Sequence, residues 1–134
     1  MISYLDHARI SIIIPVLNEV NNITAAITST QPSHNVEVIV VDGGSNDDTA
    51  VLAQSLGVTV ISSPPGRTVQ MNTGAAIASG EIFLFLDADT RLPAGFDGMI
   101  RTVLKPSGIV AGAFTLRIDS RHWGLRLVEW GVKW

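Results

Sequence analysis

Short runs of β-branched and other aliphatic residues alternate with amphipathic stretches along the first hundred residues. The apolar runs predict buried strands at residues 10–16, 36–41, 58–61 and 81–86. Between them, apolar residues at helical spacing predict helices at residues 18–30, 47–56 and 68–79, with a short one inside 93–104. This alternation predicts right-handed crossovers and an α/β fold with a mostly parallel sheet and helices on both faces.

The last quarter of the chain has a different pattern. Residues 109–118 alternate weakly, which predicts a strand. In residues 119–134, Trp123, Trp130 and Trp134 recur at the spacing of one helical face, which predicts an amphipathic helix. We therefore expect a domain over residues 1–118 and a separate helix that begins an acceptor-side segment missing from this chain. The tryptophan face needs a partner, either protein (the missing segment or a second copy) or an anionic membrane.

Polar clusters follow three of the predicted strands. They are Asn18-Glu19, Asp42-Gly43-Gly44-Ser45 and Asp87-Ala88-Asp89. Ligands of parallel α/β sheets bind in the crevice beyond the carboxyl ends of the strands. The three clusters therefore predict one ligand crevice at a single sheet edge.

Asp87 and Asp89 offer two carboxylates directly after a buried strand. Such a pair can ligate a hard cation, Mg²⁺ or Mn²⁺, which often shares its oxygen ligands with substrate phosphates. A turn with two solvated acids is the alternative. For Asp42, Gly43 and Ser45 the choice is even between a nucleotide contact, with close backbone approach at glycine, and a plain turn that caps the next helix.

Arg67 is the only basic residue between Arg9 and Arg91, so it can pair with a phosphate in an otherwise acidic crevice. A surface salt bridge is an equally good interpretation. Gln70 and Asn72 lie just beyond it, on a helix start that can face the same crevice. Asn18 and Glu19 are also explained as a helix N-cap and a favourable first-turn acid.

Composition and charge narrow the class of protein. The 134 residues contain no cysteine, and the three histidines lack ligand-like spacing. Residues 1–100 carry three arginines against ten acids, which disfavours nucleic acid as a partner. No apolar run is long enough for a membrane helix, and the N-terminus lacks signal-peptide features. We expect a cytoplasmic location, with a peripheral position at the inner membrane face as the alternative.

Three segments resemble family 2 glycosyltransferases of the GT-A fold: SIIIPVLNE (11–19), VEVIVVDGGSNDDT (36–49) and GRTVQMNTGAAIASGEIFLFLDADT (66–90). The likeness runs in order from residue 10 to about 118 and implies a Rossmann-like sheet. It implies metal-dependent transfer of a sugar from a nucleotide-diphosphate donor, usually with inversion. It also implies roles for these residues: Pro15, Asn18 and Glu19 in the nucleotide pocket; Asp42 at the base or ribose; Gly43 and Ser45 in the turn; Arg67 near the base or diphosphate; Asp87 and Asp89 as the DxD pair at the nucleotide and metal.

The chain departs from this family pattern because it offers no recognisable catalytic base. Inversion needs a carboxylate that deprotonates the acceptor hydroxyl. After Asp97 the acids are Asp119 and Glu129, and neither lies in a suitable setting. We expect the base to be absent from this chain, which leaves a non-catalytic nucleotide-binding fragment as one alternative. A haloacid-dehalogenase-type phosphatase is a weaker one, since FLFLDADT (83–90) also fits its first motif.

Overall fold

The computed structural model describes residues 7–107 and three short stretches, 119–120, 123–124 and 129–132. Its strands are β1 (Ile10–Val16), β2 (Val36–Asp42), β3 (Thr59–Ser62), β4 (Ile82–Phe85), β5 (Asp119–Ser120), β6 (Trp123–Gly124) and β7 (Glu129–Val132). Its helices are α1 (Ile23–Thr28), α2 (Thr49–Ser55), α3 (Arg67–Ile77) and α4 (Phe96–Ser107). The predicted strand at residues 109–118 lies outside the described residues.

The main sheet has five strands in the order β3-β2-β1-β4-β7. The first four are parallel, and β7 is antiparallel to β4. β5 and β6 form a separate antiparallel pair. The prediction of a mostly parallel α/β sheet is therefore confirmed, and the central place of β1 explains why this strand is almost entirely apolar.

Both faces of the sheet are covered by helices, as the pattern predicted. Alternate residues of β1, with Ile12 and Ile14 among them, pack in one cluster with Ile27 of α1, Ala53 of α2 and Phe96 of α4. On the opposite face, a smaller cluster around Ile13, Ile39 and Val41 packs against Ala75 of α3. Each fully buried aliphatic side chain stabilises the fold by roughly 1.5–3 kcal/mol.

Gly74 allows α3 to lie close against the sheet. A Cβ atom at this position would come within 2.5 Å of Cγ2 of Ile13 and 3.0 Å of Cγ2 of Val41. Both neighbours are buried strand residues that cannot move aside easily. Gly74 therefore fixes the distance between the sheet and the helix whose first residue is Arg67.

The predicted start of the first helix at Asn18 is wrong. Helix α1 begins at Ile23, and Asn18 has a φ of 54°, which is incompatible with a helical cap. A tight turn follows, in which the backbone N–H groups of Asn22 and Ile23 donate to the carbonyl of Glu19. Asn18 is drawn away from the helix by contacts with the loop after β2, described below.

The predicted helix at residues 119–134 is also wrong wherever the structure describes that segment. Residues 129–132 form β7, which pairs with β4 in a register that sets Val132 opposite Ile82 and Glu129 opposite Phe85. The free edge of β4 offers unpaired backbone groups, and this tertiary pairing overrides the helical spacing of the tryptophans. The helical face on which the expected membrane or self-association contact of Trp123, Trp130 and Trp134 depended is therefore lost.

Two further expectations concern this part of the chain. The domain boundary at residue 118 stays a prediction, and Trp134 lies outside the described residues. Within the described part of the chain, no helix has both the length and the apolar character that crossing a bilayer would require.

Candidate functional site

The strand ends bring the three predicted polar clusters to one edge of the sheet. Val16, the last residue of β1, pairs with Asp42, the last residue of β2. On the other side of β1, Phe85 pairs with Ile13, and the N–H of Leu86 donates to the Ile13 carbonyl. The segments that follow β1, β2 and β4 therefore leave the sheet side by side, at the edge where the sequence predicts a ligand crevice.

Hydrogen bonds join the loop after β1 to the loop after β2. The N–H of Asn18 donates to the hydroxyl of Ser45 at 2.9 Å, and the N–H of Asn46 donates to Oδ1 of Asn18 at 2.8 Å. The N–H of Glu19 donates to the hydroxyl of Thr49 at 2.9 Å. The two loops therefore form one connected rim, with Asn18 held in its left-handed conformation by bonds on both sides.

Asp47 and Thr49 complete this rim, and neither was a predicted site residue. Asp47 accepts hydrogen bonds from the Thr49 hydroxyl and N–H, and a long one of 3.4 Å from the N–H of Val20. The Thr49 hydroxyl is the largest of the causes that shift the pKa of Asp47, and it lowers that pKa. Desolvation, the next largest, opposes it, and the N–H groups of Thr49 and Val20 add to the lowering. In the sequence Asp47 was considered only as a helix start, although an acid two residues before a threonine also favours such a turn.

Asp42 organises the turn after β2. Its side chain accepts from the N–H of Ser45 at 3.2–3.3 Å and from the Ser45 hydroxyl at 2.5 Å. The residue is 8% exposed, and its carbonyl accepts from the N–H of Ser63, which ties in the loop after β3. Gly44 has a φ of 100°, a conformation that favours glycine. The turn role of this cluster is thus visible, and a nucleotide contact of Asp42 stays a prediction.

Arg67 and Asp87 meet across the crevice. Nη1 of Arg67 lies 2.5 Å from Oδ1 of Asp87, and their side chains are 41% and 31% exposed. Arg67 is the first residue of α3, and Asp87 lies two residues beyond β4. The predicted phosphate-binding arginine and the predicted metal ligand are therefore in direct contact, and both keep a solvent-facing side that a ligand can reach.

The carboxylates of Asp87 and Asp89 differ in their surroundings. Asp87 begins a tight turn in which its carbonyl accepts from the N–H of Thr90 at 3.0 Å. Ala88 and Thr90 are buried, which anchors the turn, whereas Asp89 is exposed with only a 3.4 Å bond from the Thr90 hydroxyl. Within the described residues no three acids or histidines group as a metal site. Two carboxylates still suit Mg²⁺ or Mn²⁺, which commonly take their remaining ligands from water and phosphate.

Gln70 is a buried residue of the crevice floor whose role the sequence did not reveal. It is 4% exposed. Its Nε2 donates to the carbonyls of Val16 and Val41, each at 2.9 Å, and its Oε1 accepts from the N–H of Gly66 at 3.2 Å. A signal existed, because residues 70 and 74 lie one helical turn apart and both face the sheet.

The remaining predicted residues are Pro15, Gly43 and Asn72. Pro15 is half-buried near the end of β1, and Gly43 is buried beside Gln70, with its N–H bonded to the carbonyl of Val16. Asn72 is exposed on α3. Within residues 7–107, no hydrogen bond joins the Asn72 side chain to the crevice residues, so its predicted nucleotide contact gains no support from position.

Comparison with known proteins gives a consistent result. The model of the family described as glycosyl transferase family 2 matches residues 11–129. A PGL/p-HBAD biosynthesis glycosyltransferase of Mycobacterium bovis is 34% identical over 128 residues, which is 85% of this chain and 50% of that protein.

Solved structures resemble the fold. Glucosyl-3-phosphoglycerate synthase from Mycobacterium tuberculosis, in complex with Mn²⁺, UDP and phosphoglyceric acid, has a TM-score of 0.61 at 30% identity. The match covers 77% of this chain and 41% of the synthase. TarS of S. aureus in complex with UDP-GlcNAc has a TM-score of 0.68 at 22% identity, and the match covers 83% of this chain and 34% of TarS. The chain therefore spans half or less of the length of these relatives.

Proposed function

Because this chain belongs to glycosyl transferase family 2, we propose that it forms the nucleotide-sugar-binding half of a metal-dependent glycosyltransferase. The observation that carries the proposal is the contact between Arg67 and Asp87 at the crevice, with Asp89 exposed beside them. An arginine that can pair with phosphate stands next to two carboxylates that can share a cation. A nucleoside diphosphate with a divalent cation satisfies both halves of this arrangement.

The crevice divides into two parts in this proposal. The connected loops after β1 and β2 hold the base and ribose, with Asp42 accepting from the nucleoside and Asn18, Glu19 and Pro15 lining its side. The start of α3 and the turn after β4 hold the diphosphate. Backbone loops joined by hydrogen bonds before the donor arrives reduce the ordering cost of binding.

Asp87 and Asp89 would hold Mg²⁺ or Mn²⁺, whose charge would stabilise the departing diphosphate. The complex of the mycobacterial synthase with Mn²⁺ and UDP supports this assignment. Arg67 adds a second positive charge on the same leaving group. We propose transfer with inversion, which needs a base at the acceptor hydroxyl. No residue of this chain is assigned that role, and the family membership disfavours the phosphatase alternative for Asp87.

Calorimetric titration with UDP and with GDP, each with and without Mn²⁺, tests the proposal. We expect one of them to bind more tightly with Mn²⁺, and Asp89→Ala to abolish that difference. Asp48→Ala is the matched control, because Asp48 is an exposed acid with no side-chain capping bond. If wild-type protein binds neither nucleotide under any condition, the proposal is wrong for this chain, and equal binding with and without Mn²⁺ removes the metal from it.

A further inference from the structure

We infer that Gln70 is a positioning residue that sets the direction of Arg67 towards the donor diphosphate. The inference rests on the proposed donor site and goes beyond it, because Gln70 itself lies beneath the crevice. Its amide is almost completely buried and makes three hydrogen bonds. Burying an amide destabilises the fold unless its polar atoms are hydrogen-bonded. The partners of these three bonds therefore indicate what the side chain holds in place.

The three bonds join three separate pieces of the crevice. The two donated bonds reach the carbonyls of Val16 and Val41, near the ends of β1 and β2. The accepted bond comes from Gly66, the residue that immediately precedes α3. One side chain thus connects the two strands that carry the nucleoside loops with the loop that carries the arginine.

The bond to Gly66 acts directly on Arg67. Gly66 has a φ of 136°, an uncommon conformation that favours glycine, and the next residue is Arg67. The Gln70 side chain holds the Gly66 N–H, and the Gln70 N–H donates to the Gly66 carbonyl at 2.8 Å. These reciprocal bonds fix the backbone from which the Arg67 side chain leaves, in the manner of a capping box one residue longer than usual.

Gly43 shows how tightly the amide is held. A Cβ atom at position 43 would lie 2.8 Å from both Cδ and Oε1 of Gln70. The turn after β2 therefore packs its backbone against the amide, and no other residue type fits there unless Gln70 moves.

A double-mutant cycle with Arg67 tests the inference, with UDP and Mn²⁺ as the ligand (GDP if UDP does not bind). Gln70→Met keeps the side-chain length and apolar burial but removes the three hydrogen bonds. We expect it to weaken nucleotide affinity about tenfold in the wild-type background and less than about twofold in the Arg67→Ala background, because its effect passes through Arg67. Gln54→Met, on the exposed surface of α2, is the matched control.

A purely structural role would give a different result. Loss of fold stability alone would lower the melting temperature of Gln70→Met equally in both backgrounds, and it would leave affinity unchanged at a temperature where every variant is folded. Additive affinity losses, or unchanged affinity in Gln70→Met, would overturn the inference while leaving the donor site intact. Failure of wild-type protein to bind nucleotide would instead contradict the proposed function. Gly43→Ala, which displaces the amide without removing it, should reproduce the Arg67-dependent loss.

Discussion

Arg67 and Asp87 form the shortest ion pair among the described residues, with 2.5 Å between Nη1 and Oδ1. The guanidinium group occupies an oxygen that a divalent cation would use in the proposed site. Two positive groups at one carboxylate oxygen repel each other, so the arginine and the cation compete unless a phosphate draws the arginine away. Whether Asp87 is free to bind a cation therefore depends on whether a nucleotide-sugar donor is bound.

Removing Arg67 should change metal and nucleotide binding in opposite directions. In Arg67→Ala we expect affinity for Mn²⁺ alone to rise several-fold, because Asp87 is released. We expect affinity for UDP with Mn²⁺ to fall about tenfold, because a charge-assisted bond to phosphate is lost. Titration of each ligand measures both effects. Arg9→Ala is the control, because it changes the net charge equally but lies at the opposite end of the strands. A fall in Mn²⁺ affinity would contradict competition at Asp87.

Glu37 should make the stability of the fold depend on pH at acidic values. Burial tends to raise the pKa of this carboxyl group, but hydrogen bonds from Ser11 and from the N–H and hydroxyl of Ser79, with the charge of Arg9, together lower it below 4.5. A lowered pKa stabilises the folded state fully above 4.5, and this contribution is lost as pH falls through the folded-state value.

The variant Glu37→Gln isolates this effect. We expect it to lose about 1 kcal/mol of unfolding free energy at neutral pH, from weaker hydrogen bonds. The gap between variant and wild type should narrow as the pH falls below 4.5. Urea unfolding across this range measures the gap, and NMR titration of the Glu37 carboxyl gives its pKa directly. A gap that stays constant with pH, or a pKa above the ordinary value, would contradict the prediction.

Arg101 should be the charged residue whose loss destabilises the described part of the fold most. Its buried guanidinium donates to the carbonyls of Ala8, His34 and Asn35, and Asp97 lies 3.6 Å away. Arg101→Met removes the side-chain donor to the Ala8 and His34 carbonyls and the positive charge beside Asp97, whereas the Asn35 carbonyl still accepts from the N–H of Ile10 and Asp97 still accepts from the N–H of His34. We expect a loss of about 3 kcal/mol in unfolding free energy. The exposed Arg91→Met should change it by less than about 0.5 kcal/mol, and equal effects would refute the buried network.

Two helical glycines should respond oppositely to alanine. At Gly74 a methyl group meets Ile13 at 2.5 Å, so Gly74→Ala should destabilise the fold by about 1–3 kcal/mol through overpacking. At Gly98 in α4, no atom of the described residues outside its own helical turn and chain neighbours lies within 4 Å of the added Cβ, so Gly98→Ala should stabilise the fold by up to about 1 kcal/mol through helix propensity. Thermal unfolding compares them. If both variants raised the melting temperature, helix propensity would outweigh the close packing of α3 against the sheet at position 74, and the prediction would be wrong.

Much of the fold followed from the apolar pattern because β1 and most of β2 are buried from both faces, and such strands are recognisable as continuous apolar runs. The same pattern failed for β7, since its pairing depends on the open edge of β4, which no local spacing encodes. It also misplaced the start of α1, since Asn18 is held by the loop after β2. Local sequence describes what a segment prefers, and both errors arose where a distant segment supplied the stronger bonds.

The sequence also predicted part of the candidate site. Asp42 and Asp87 could be proposed because polar residues at strand ends gather at one edge of a parallel sheet. Arg67 could be proposed because it is the only basic residue between Arg9 and Arg91. Gln70 could be placed on a helix start that can face the crevice, but its burial could not be predicted, because a glutamine on a helix looks the same in sequence whether it faces water or the core. Its hydrogen bonds join two backbone carbonyls and one backbone N–H, and backbone groups leave no trace in the identity of the residues that carry them.

The close packing of Gly43 against Gln70 has a consequence for how these positions can vary among related sequences. Gly43 cannot be replaced by a larger residue while Gln70 stays in place, since a side chain at position 43 would occupy the volume of the amide at position 70. In an alignment of homologues, glycine at 43 should accompany glutamine at 70, and sequences that carry a larger residue at 43 should carry a shorter one at 70. The two positions would then change together during evolution, although 26 residues lie between them in the chain.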